Sequence, residues 1–227
     1  IAVETFLANT ANGLAILVDD GSPQWNPRAW TKFPAKSLLI FRFAKNDKNL
    51  TRSWNKGIQL ALEHHAQIIV AGNSDLKFPR LWSQGIVESL GEGAGVVGPM
   101  TNAPGHRPRQ HVSRFIDSYT VDDSDRYINK VSEQLYSKCR GMTEKGPLNG
   151  FCIAAKSSTW RLGAFNLSEG HFFNPKFKMV KNEDELIGRW KKMGITNRIA
   201  CSSFVFHYRG VTRNPSGKNA GKGHLRI

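Results

Sequence analysis

The chain has 227 residues, 40% of them hydrophobic, which is enough to bury the core of one large domain. Its formal net charge of +14 favours contact with polyanions or phosphate-bearing ligands, and is equally compatible with a basic surface of no special role. No apolar run approaches the ~20 residues of a transmembrane helix. Three widely spaced cysteines argue against a disulfide framework or a thiolate metal site. We therefore expect buried, reduced cysteines and a cytoplasmic protein, in the host cytoplasm if the protein is viral.

Short apolar runs alternate with helical patterns through the first hundred residues. The opening residues have a helical pattern, and apolar runs closed by turn residues predict buried strands. The spacing of Trp54, Ile58 and Ala61 predicts a helix capped by Thr51, and another helix follows Pro79. The predicted strands are Leu14–Val18, Ser37–Phe41, Gln67–Ala71 and Ala94–Gly98. This alternation predicts an α/β fold with a doubly wound, mainly parallel sheet.

The second half is less regular. Residues 101–125 contain prolines, arginines and acidic residues without periodicity, which predicts a long loop or lid. Asn182 can cap the last predicted helix. The remaining predicted elements are helices Arg126–Lys138 and Glu183–Met193 and strands Phe151–Ala155 and Ile199–His207. We expect one domain over residues 1–208, followed by a basic, glycine-rich tail of residues 209–227 that is mobile unless it binds a ligand.

Acidic residues follow two of the predicted strands. Asp19 and Asp20 come after the first strand, and Asp75 after the third. Ligands of open α/β sheets bind beyond the carboxyl ends of the strands, so these acids suit a metal or the base and sugar of a nucleotide. An Asp-Gly-Ser-Pro turn explains Asp19 and Asp20 as well, and for that pair alone we favour the turn. The run Asn73-Ser74-Asp75 at the next expected strand end favours a binding site.

Together with later motifs, these strand ends resemble family 2 of the inverting GT-A glycosyltransferases. The matching segments occur in the family's order and are Ile16–Ser22, Asn49, Asn55–Ile58, Asn73–Asp75, Val97–Pro99, Asn102, Gly150–Ala155, Gly163–Phe165, Glu183–Arg189 and Val205–His207. The resemblance implies the GT-A fold, a Rossmann-like, doubly wound mixed sheet flanked by helices, whose opening strand would precede Ile1. It also implies a nucleotide-sugar-binding half in residues 1–100 and an acceptor-binding half with the lid loop in residues 101–208.

The same resemblance implies an activity. The protein would be a hexosyl- or deoxyhexosyltransferase that moves one sugar from a UDP- or dTDP-linked donor to a glycan hydroxyl, with inversion and with Mn²⁺ or Mg²⁺. Asn73 replaces the first aspartate of the family's DXD motif, which is similar to the rhamnosyltransferase-like branch and weakens the metal site, because an amide binds these cations less strongly than a carboxylate. The helix around Arg189 lacks the glutamine of processive members, so we expect single transfers.

The resemblance also assigns site residues by position. The predicted catalytic residues are Asp184, as general base, and Glu183; the metal ligands are Asp75 and His207; the donor contacts are Asp19, Asp20, Arg52, Asn55, Asn73 and Ser74; and the acceptor contacts are Asn149, Gly150 and Arg189. Each assignment has a plainer alternative. Acids in a first helical turn commonly serve only the helix dipole, and a histidine on a strand is commonly a core residue with satisfied hydrogen bonds.

The basic loops and tail leave two other functions open. The acceptor could be a polyanion, such as a modified base in viral DNA, with the tail contacting phosphates. The chain could also be a non-catalytic nucleic-acid-binding domain. That second alternative explains the charge but not the strand-end carboxylates, which repel phosphate. We prefer a glycan acceptor, because it is the common acceptor among such enzymes.

Overall fold

A computed structural model describes residues 1–91 and 95–209. The helices in these ranges are α1 (Ala2–Ala8), α2 (Leu50–Glu63), α3 (Trp82–Leu90), α4 (Asp125–Cys139), α5 (Ser157–Leu162) and α6 (Asn182–Lys192). The strands are β1 (Ala15–Asp19), β2 (Leu38–Arg42), β3 (Ile68–Gly72), β4 (Leu76–Lys77), β5 (Val96–Met100), β6 (Thr143–Lys145), β7 (Cys152–Lys156), β8 (Asn197–Phe204) and β9 (Phe206–His207). Within the described ranges, no helix combines the length and apolar character that crossing a bilayer requires. Except for Arg209, the predicted tail lies outside the described residues, as does Ala94 of the fourth predicted strand.

The central sheet has five strands in the order β3-β7-β5-β8-β6. Only β5 and β8 pair in parallel there, whereas the β3–β7, β5–β7 and β6–β8 pairs are antiparallel. β1 and β2 form a separate parallel pair, and β4 and β9 a short antiparallel one. The expectation of a mixed sheet is confirmed, but the expectation of a mainly parallel one is wrong. Strands buried on both faces have the same apolar character in either orientation, so their composition does not reveal that β7 lies antiparallel between β3 and β5.

Helices cover both faces of the sheet. One apolar cluster joins α2, α4, α5 and α6 to one face and includes Trp54, Trp160 and Trp190. The second cluster joins α3 to the other face through Trp82 and Ile86, with α1 packed beside it. All three cysteines are free and buried, as predicted. Apolar periodicity therefore predicted correctly which sides of the helices face the sheet.

Two polar residues near the start of α2 have different roles from those predicted. α2 begins at Leu50, and the side chain of Asn49 caps it by accepting the backbone N–H of Arg52 at 3.0 Å. Thr51, the predicted cap, is buried in the first turn and its hydroxyl donates to the carbonyl of Phe177. The cap moves because Asn49 precedes the helix by one residue, where an asparagine side chain can reach the free backbone N–H groups.

The start of α6 is held by a tertiary contact rather than by a side-chain cap. Lys181 precedes the helix in a left-handed conformation, with φ of 63°, and makes no side-chain cap. Asn182, the predicted cap, is the first helical residue; its buried side chain donates to the hydroxyl of Thr51 at 3.1 Å and accepts the N–H of Glu183 at 3.0 Å. Asn182 therefore ties the start of α6 to the start of α2.

The region predicted as a loop or lid is irregular apart from two 3₁₀ turns, Pro108–Gln110 and Val112–Arg114. Its first part is anchored to the sheet, because the buried side chain of Gln110 donates to the Pro99 carbonyl at 2.9 Å. The loop therefore begins from a fixed position beside the carboxyl end of β5.

Candidate functional site

A cavity of about 1990 Å³ opens between β1 and β3. Its polar end lies beyond the carboxyl ends of these two strands, and its apolar end lies between the strands themselves. The side chains of the polar end include Asp20, Asn73, Ser74, Asp75, Asn149, Glu183 and His207. The side chains of the apolar end include Phe6, Ile16, Ile58, Ile68, Val70 and Ile86. The polar end is the candidate functional site, because polar groups there converge on a concave surface.

Asp75 and His207 meet at the polar end. β4 and β9 pair with Leu76 opposite His207, and the Oδ1 of Asp75 lies 3.4 Å from the Nε2 of His207. The other ring nitrogen, Nδ1, lies 3.2 Å from the carbonyl of Ala103. If Nδ1 carries the proton and donates to that carbonyl, the lone pair of Nε2 points toward Asp75.

The position of His207 is fixed on two sides. Phe151 stacks on the imidazole with ring centroids 5.1 Å apart and planes inclined by 15°. The side chain of Asn102 accepts the His207 N–H at 2.8 Å and donates to the His207 carbonyl at 3.1 Å. These contacts hold the imidazole in one orientation, which is what a ligand or catalytic group needs.

Asp75 and His207 fit the protein side of a divalent-cation site. A carboxylate and a neutral imidazole are ligands that Mn²⁺ accepts. Among the described residues, no group of three or more His, Cys, Asp or Glu side chains could hold a metal by itself. Two protein ligands suit a cation that is completed by phosphate oxygens and water, as Mg²⁺ commonly is at nucleotide sites. The residues present therefore fit a cation whose remaining ligands come from a bound molecule or from water.

Asp20 lines the cavity from the other strand. Its carboxylate accepts the N–H of Asn49 at 2.9 Å and lies 2.6 Å from the Nη2 of Arg52. Arg52 also pairs with Asp47 at 2.6 Å and lies over the ring of Phe43, 4.0 Å from its centroid. Arg52 is therefore occupied by protein groups and does not line the cavity, whereas Asp20 does.

The neighbouring Asp19 points away from the cavity. Burial would raise its pKa, but hydrogen bonds from Ser22 and Arg42 outweigh that effect and hold the pKa of Asp19 below its usual value. The Nε of Arg42 lies 2.9 Å from the carboxylate. This contact joins the ends of β1 and β2, so Asp19 has a structural role of the kind that the turn alternative describes.

The two acids predicted for catalysis lie on different sides of α6. Glu183 lines the cavity and packs against Gly150, where a Cβ atom would come within 2.6 Å of the Glu183 side chain. Asp184 does not line the cavity, and its Oδ1 instead pairs with the Nη2 of Arg107 at 2.9 Å. The Nε of Arg107 is buried and, within the described part of the chain, has no hydrogen-bond partner.

No protein-family model matches the sequence, and no curated protein matches it. Among solved structures, the chain is similar to the crystal structure of GalNAc-T7 with UDP, GalNAc and Mn²⁺, with a TM-score of 0.60 and 12% sequence identity. The match covers 91% of this chain and 40% of that one, so the chain spans less than half the length of that protein. The chain has a GT-A fold. This confirms the predicted fold class, and the assignment to the rhamnosyltransferase-like branch stays a prediction.

The GT-A fold brings most of the predicted site residues to one cavity. Residues from the turn after β1, from the segment after β3, from the loop before β7, from the start of α6 and from β9 meet at the polar end. Several predicted residues lie elsewhere, where protein groups use their polar atoms: these are Asp19, Arg52, Asn55, Asp184 and Arg189. Their predicted roles stay predictions.

Asn55 and Arg189 illustrate how such residues are used. The buried amide of Asn55 makes three hydrogen bonds, all to backbone groups of Phe172 and Phe173. The guanidinium of Arg189 donates to Glu185 at 2.9 Å, to the Phe172 carbonyl at 2.9 Å and to the carbonyl of Gly163. Both residues hold the segment between α5 and α6 against the helices.

Asn149 supports the site indirectly. Its side chain donates to the Pro104 carbonyl at 2.7 Å, and its N–H donates to Gln110 at 2.6 Å. These bonds tie the loop before β7 to the loop after β5. The two loops on the predicted acceptor side of the cavity are therefore held to each other.

Sequence reasoning missed the contact of Arg107 with Asp184. Arg107 is one of several arginines in residues 101–125, and the sequence pattern assigns it no role of its own. The two residues are 77 positions apart, and neither lies in a pattern that indicates pairing. A buried arginine nitrogen is recognisable only after folding.

Proposed function

We propose that this protein is a glycosyltransferase that moves one sugar from a UDP- or dTDP-linked donor to a hydroxyl of a glycan, with inversion at the anomeric carbon. The observation that supports this proposal is the polar end of the cavity, where Asp20, Asn73, Asp75, Glu183 and His207 converge at the carboxyl ends of strands in a GT-A fold. The structurally similar GalNAc-T7 was crystallised with UDP, GalNAc and Mn²⁺.

The nucleotide and the diphosphate would occupy different parts of the polar end. Asp20 would accept hydrogen bonds from the base or ribose, and Asn73 and Ser74, which follow β3 and line the same cavity, would also contact the donor. Asp75 and His207 would hold a divalent cation against the diphosphate. When bound, that cation supplies charge neutralisation for the departing diphosphate.

A carboxylate at the start of α6 would take the proton of the acceptor hydroxyl. The resemblance assigns this role to Asp184, and the geometry brings Glu183 into the cavity. Asp184 would first have to exchange Arg107 for the acceptor. Catalytic hydrogen bonds often tighten only in the substrate complex, so both acids remain candidates. Attack from the face opposite the diphosphate gives inversion.

The charges around the acceptor side favour a glycan over a polyanion. Arg109 and Arg114 both pair with Glu144, at 3.3 and 2.9 Å, and Arg107 pairs with Asp184. Each of these three arginines is therefore engaged by a carboxylate, and the two acids offset two of the three positive charges, so these side chains do not form a row of free cations for phosphates. Salt-dependent binding of DNA would instead indicate one of the two nucleic-acid functions.

A thermal-shift experiment tests the donor and the cation together. The wild-type chain and Asp75→Asn would be mixed with UDP, dTDP, GDP and their sugars, with and without Mn²⁺. A ligand at 100 times its Kd stabilises the folded state by about 2.7 kcal/mol, which corresponds to a rise in Tm of roughly 5–10 °C at this size. We expect that rise with one pyrimidine diphosphate and Mn²⁺, and its loss in Asp75→Asn. Asp117→Asn, an exposed acid in the loop, is the matched control.

The absence of a rise in Tm with every nucleotide would contradict the proposal. If no nucleotide raises Tm, while duplex DNA binds with an affinity that falls steeply with salt, the chain is a nucleic-acid-binding domain. Donor binding together with steeply salt-dependent DNA binding would instead indicate a polyanion as acceptor.

Two amide variants identify the base. We expect the variant that removes the base, Glu183→Gln or Asp184→Asn, to lower turnover about 10²–10⁴-fold while the donor-induced shift in Tm is retained. The other variant should change turnover by less than about 10-fold. If both variants keep near wild-type turnover, neither acid is the base and the proposed proton transfer is wrong.

A further inference from the structure

An exposed loop leads into α6 at the mouth of the cavity. In residues 175–181, every side chain except that of Phe177 is exposed. Met179 and Val180 are 43% and 60% exposed, and Met179 lines the cavity. Single exposed apolar side chains are ordinary on protein surfaces. An adjacent pair at the opening of a candidate site is instead a candidate contact surface.

The backbone of this loop is fixed to the first turn of α2. The carbonyl of Lys178 accepts the N–H of Thr51 at 3.1 Å, and the carbonyl of Phe177 accepts the Thr51 hydroxyl. Lys181 has a left-handed conformation, with φ of 63°, where the chain passes from the exposed Val180 to the buried start of α6. The backbone is therefore anchored on both sides of the apolar pair, while the two side chains stay exposed.

A second loop, residues 45–48, contacts the same turn of α2. The guanidinium of Arg52 donates to the carbonyl of Lys45 and pairs with Asp47 at 2.6 Å. Lys48 lines the cavity. Because Thr51 and Arg52 are consecutive, the two loops lie at the same end of α2, beside the polar end of the cavity.

The two loops together carry five exposed lysines. Among the described residues, the only lysines in ion pairs are Lys32 and Lys77, so no contacting carboxylate offsets the charges of these five. The one acid in either loop, Asp47, is paired with Arg52. Such a concentration of positive charge attracts an anionic surface. The five are Lys45, Lys48, Lys176, Lys178 and Lys181.

The combination of charge with apolar side chains favours a membrane over a nucleic acid. The phosphates of a duplex would bind the lysines, but they provide no apolar surroundings for Met179 and Val180. An anionic bilayer provides phosphates at its surface and acyl chains directly below them. Lys178 and Lys181 stand on either side of the apolar pair, so their ammonium groups can remain among the headgroups while the pair enters the bilayer.

We propose that these two loops dock the mouth of the cavity onto an anionic phospholipid bilayer, with Met179 and Val180 entering the boundary between headgroups and acyl chains. Docking in this orientation turns the polar end of the cavity toward the bilayer. Glu183, which lines that cavity, follows the loop at the start of α6. A glycan linked to a lipid would therefore be presented to Glu183. The choice of a lipid-linked acceptor rests on the proposed function, whereas the docking itself does not.

Vesicle flotation of the full chain measures the docking. Vesicles of phosphatidylcholine would be used with and without phosphatidylserine, and we expect binding only when phosphatidylserine is present. A lysine near an anionic surface contributes about fivefold to affinity, so Lys176→Gln combined with Lys178→Gln should weaken binding about 30-fold. The matched control is Lys191→Gln combined with Lys192→Gln, at the other end of α6. Charges that lie more than a Debye length from the bilayer are screened, so the control should change binding less than about threefold.

Two methionines test whether the apolar side chains enter the bilayer. Met179 and Met193 are 43% and 46% exposed, and Met193 is at the far end of α6. We expect Met179→Ser to weaken binding about fivefold, because less than half of its surface is available for insertion. Met193→Ser should leave binding unchanged. Equal effects of the two serine variants, or of the two lysine pairs, would overturn the inference, since binding would then follow the overall charge of the chain.

A fluorescent label covers the case in which these variants are unstable. The three native cysteines are buried, so an environment-sensitive dye can be attached selectively to Val180→Cys or to Met193→Cys. We expect phosphatidylserine vesicles to shift the emission to the blue only for the label at position 180. An unshifted label at that position, or a wild-type chain that does not bind the vesicles, overturns the inference.

Duplex DNA distinguishes the two kinds of anionic partner. If DNA displaces the vesicles, and the Lys176 and Lys178 variant loses DNA binding while Met179→Ser binds vesicles as well as the wild type does, the membrane is the wrong partner and the inference is overturned. If DNA binding is unaffected by these lysines, the membrane assignment is supported. No measurement here uses a nucleotide sugar, so failure of the docking is distinguishable from failure of the proposed glycosyl transfer.

Discussion

Asn55→Ala should destabilise the fold and leave the proposed donor site intact. The Asn55 side chain is 5% exposed. Its Oδ1 accepts the N–H groups of Phe172 and Phe173 at 3.0 and 2.8 Å, and its Nδ2 donates to the Phe173 carbonyl at 3.0 Å. Truncation removes three hydrogen bonds and leaves their backbone partners buried. At about 1 kcal/mol each, the loss is about 3 kcal/mol, or a fall in Tm of roughly 6–12 °C.

Denaturant unfolding of the wild type and the variant measures this loss, with Asn174→Ala as the control. Asn174 accepts one local hydrogen bond, from the N–H of Lys176 at 3.0 Å, so its loss should be at most about 1 kcal/mol. The reasoning is refuted if Asn55→Ala costs less than about 1 kcal/mol and abolishes the nucleotide-induced rise in Tm. That result would support the donor contact that the resemblance assigns to Asn55.

Two further predictions concern packing and charge. Gly163→Ala should lower the free energy of unfolding, measured with denaturant, by about 1–3 kcal/mol, because the new Cβ would overlap the buried ring of Trp190. The control is Gly188→Ala, whose Cβ would meet no atom within 4 Å and which should be neutral or stabilising. Equal losses of stability in the two variants would refute the argument. A hydrogen bond from Arg114 lowers the pKa of Glu144 below its ordinary value of 4.5. The stability that this group contributes should be complete above about pH 4.5 and lost as the pH falls through the lowered pKa. Glu144→Gln should flatten that part of the curve of unfolding free energy against pH, and parallel curves for variant and wild type would contradict the assignment.

The sequence predicted the long elements because each has a strong local signal. β1, β2 and β3 are apolar runs closed by turn residues, and each begins and ends within one residue of its prediction. β4, β6 and β9 have two or three residues each, too few to show a period. Strand order and direction also escaped prediction, because they depend on which edges meet after the helices have packed.

The errors at helix starts have a common physical cause. Thr51 and Asn182 have the residue types that cap helices, but their side chains bond each other at 3.1 Å and so join α2 to α6. Asn55 was assigned to the nucleotide and instead binds backbone. In each case a polar group near a helix start found a distant backbone or side-chain partner. Local patterns show that such a group needs a hydrogen bond, and they do not show where its partner is.

The polar end of the cavity was predictable for the opposite reason. Asp20, Asn73 and Asp75 directly follow strands, and strands in one layer that run the same way bring their ends to one edge whatever their order. The acids of α6 lack this constraint, because successive helical residues point about 100° apart. Glu183 therefore faces the cavity while Asp184 faces Arg107. If Asp184 is the base, the loop that carries Arg107 must move before each transfer; if Glu183 is the base, it need not.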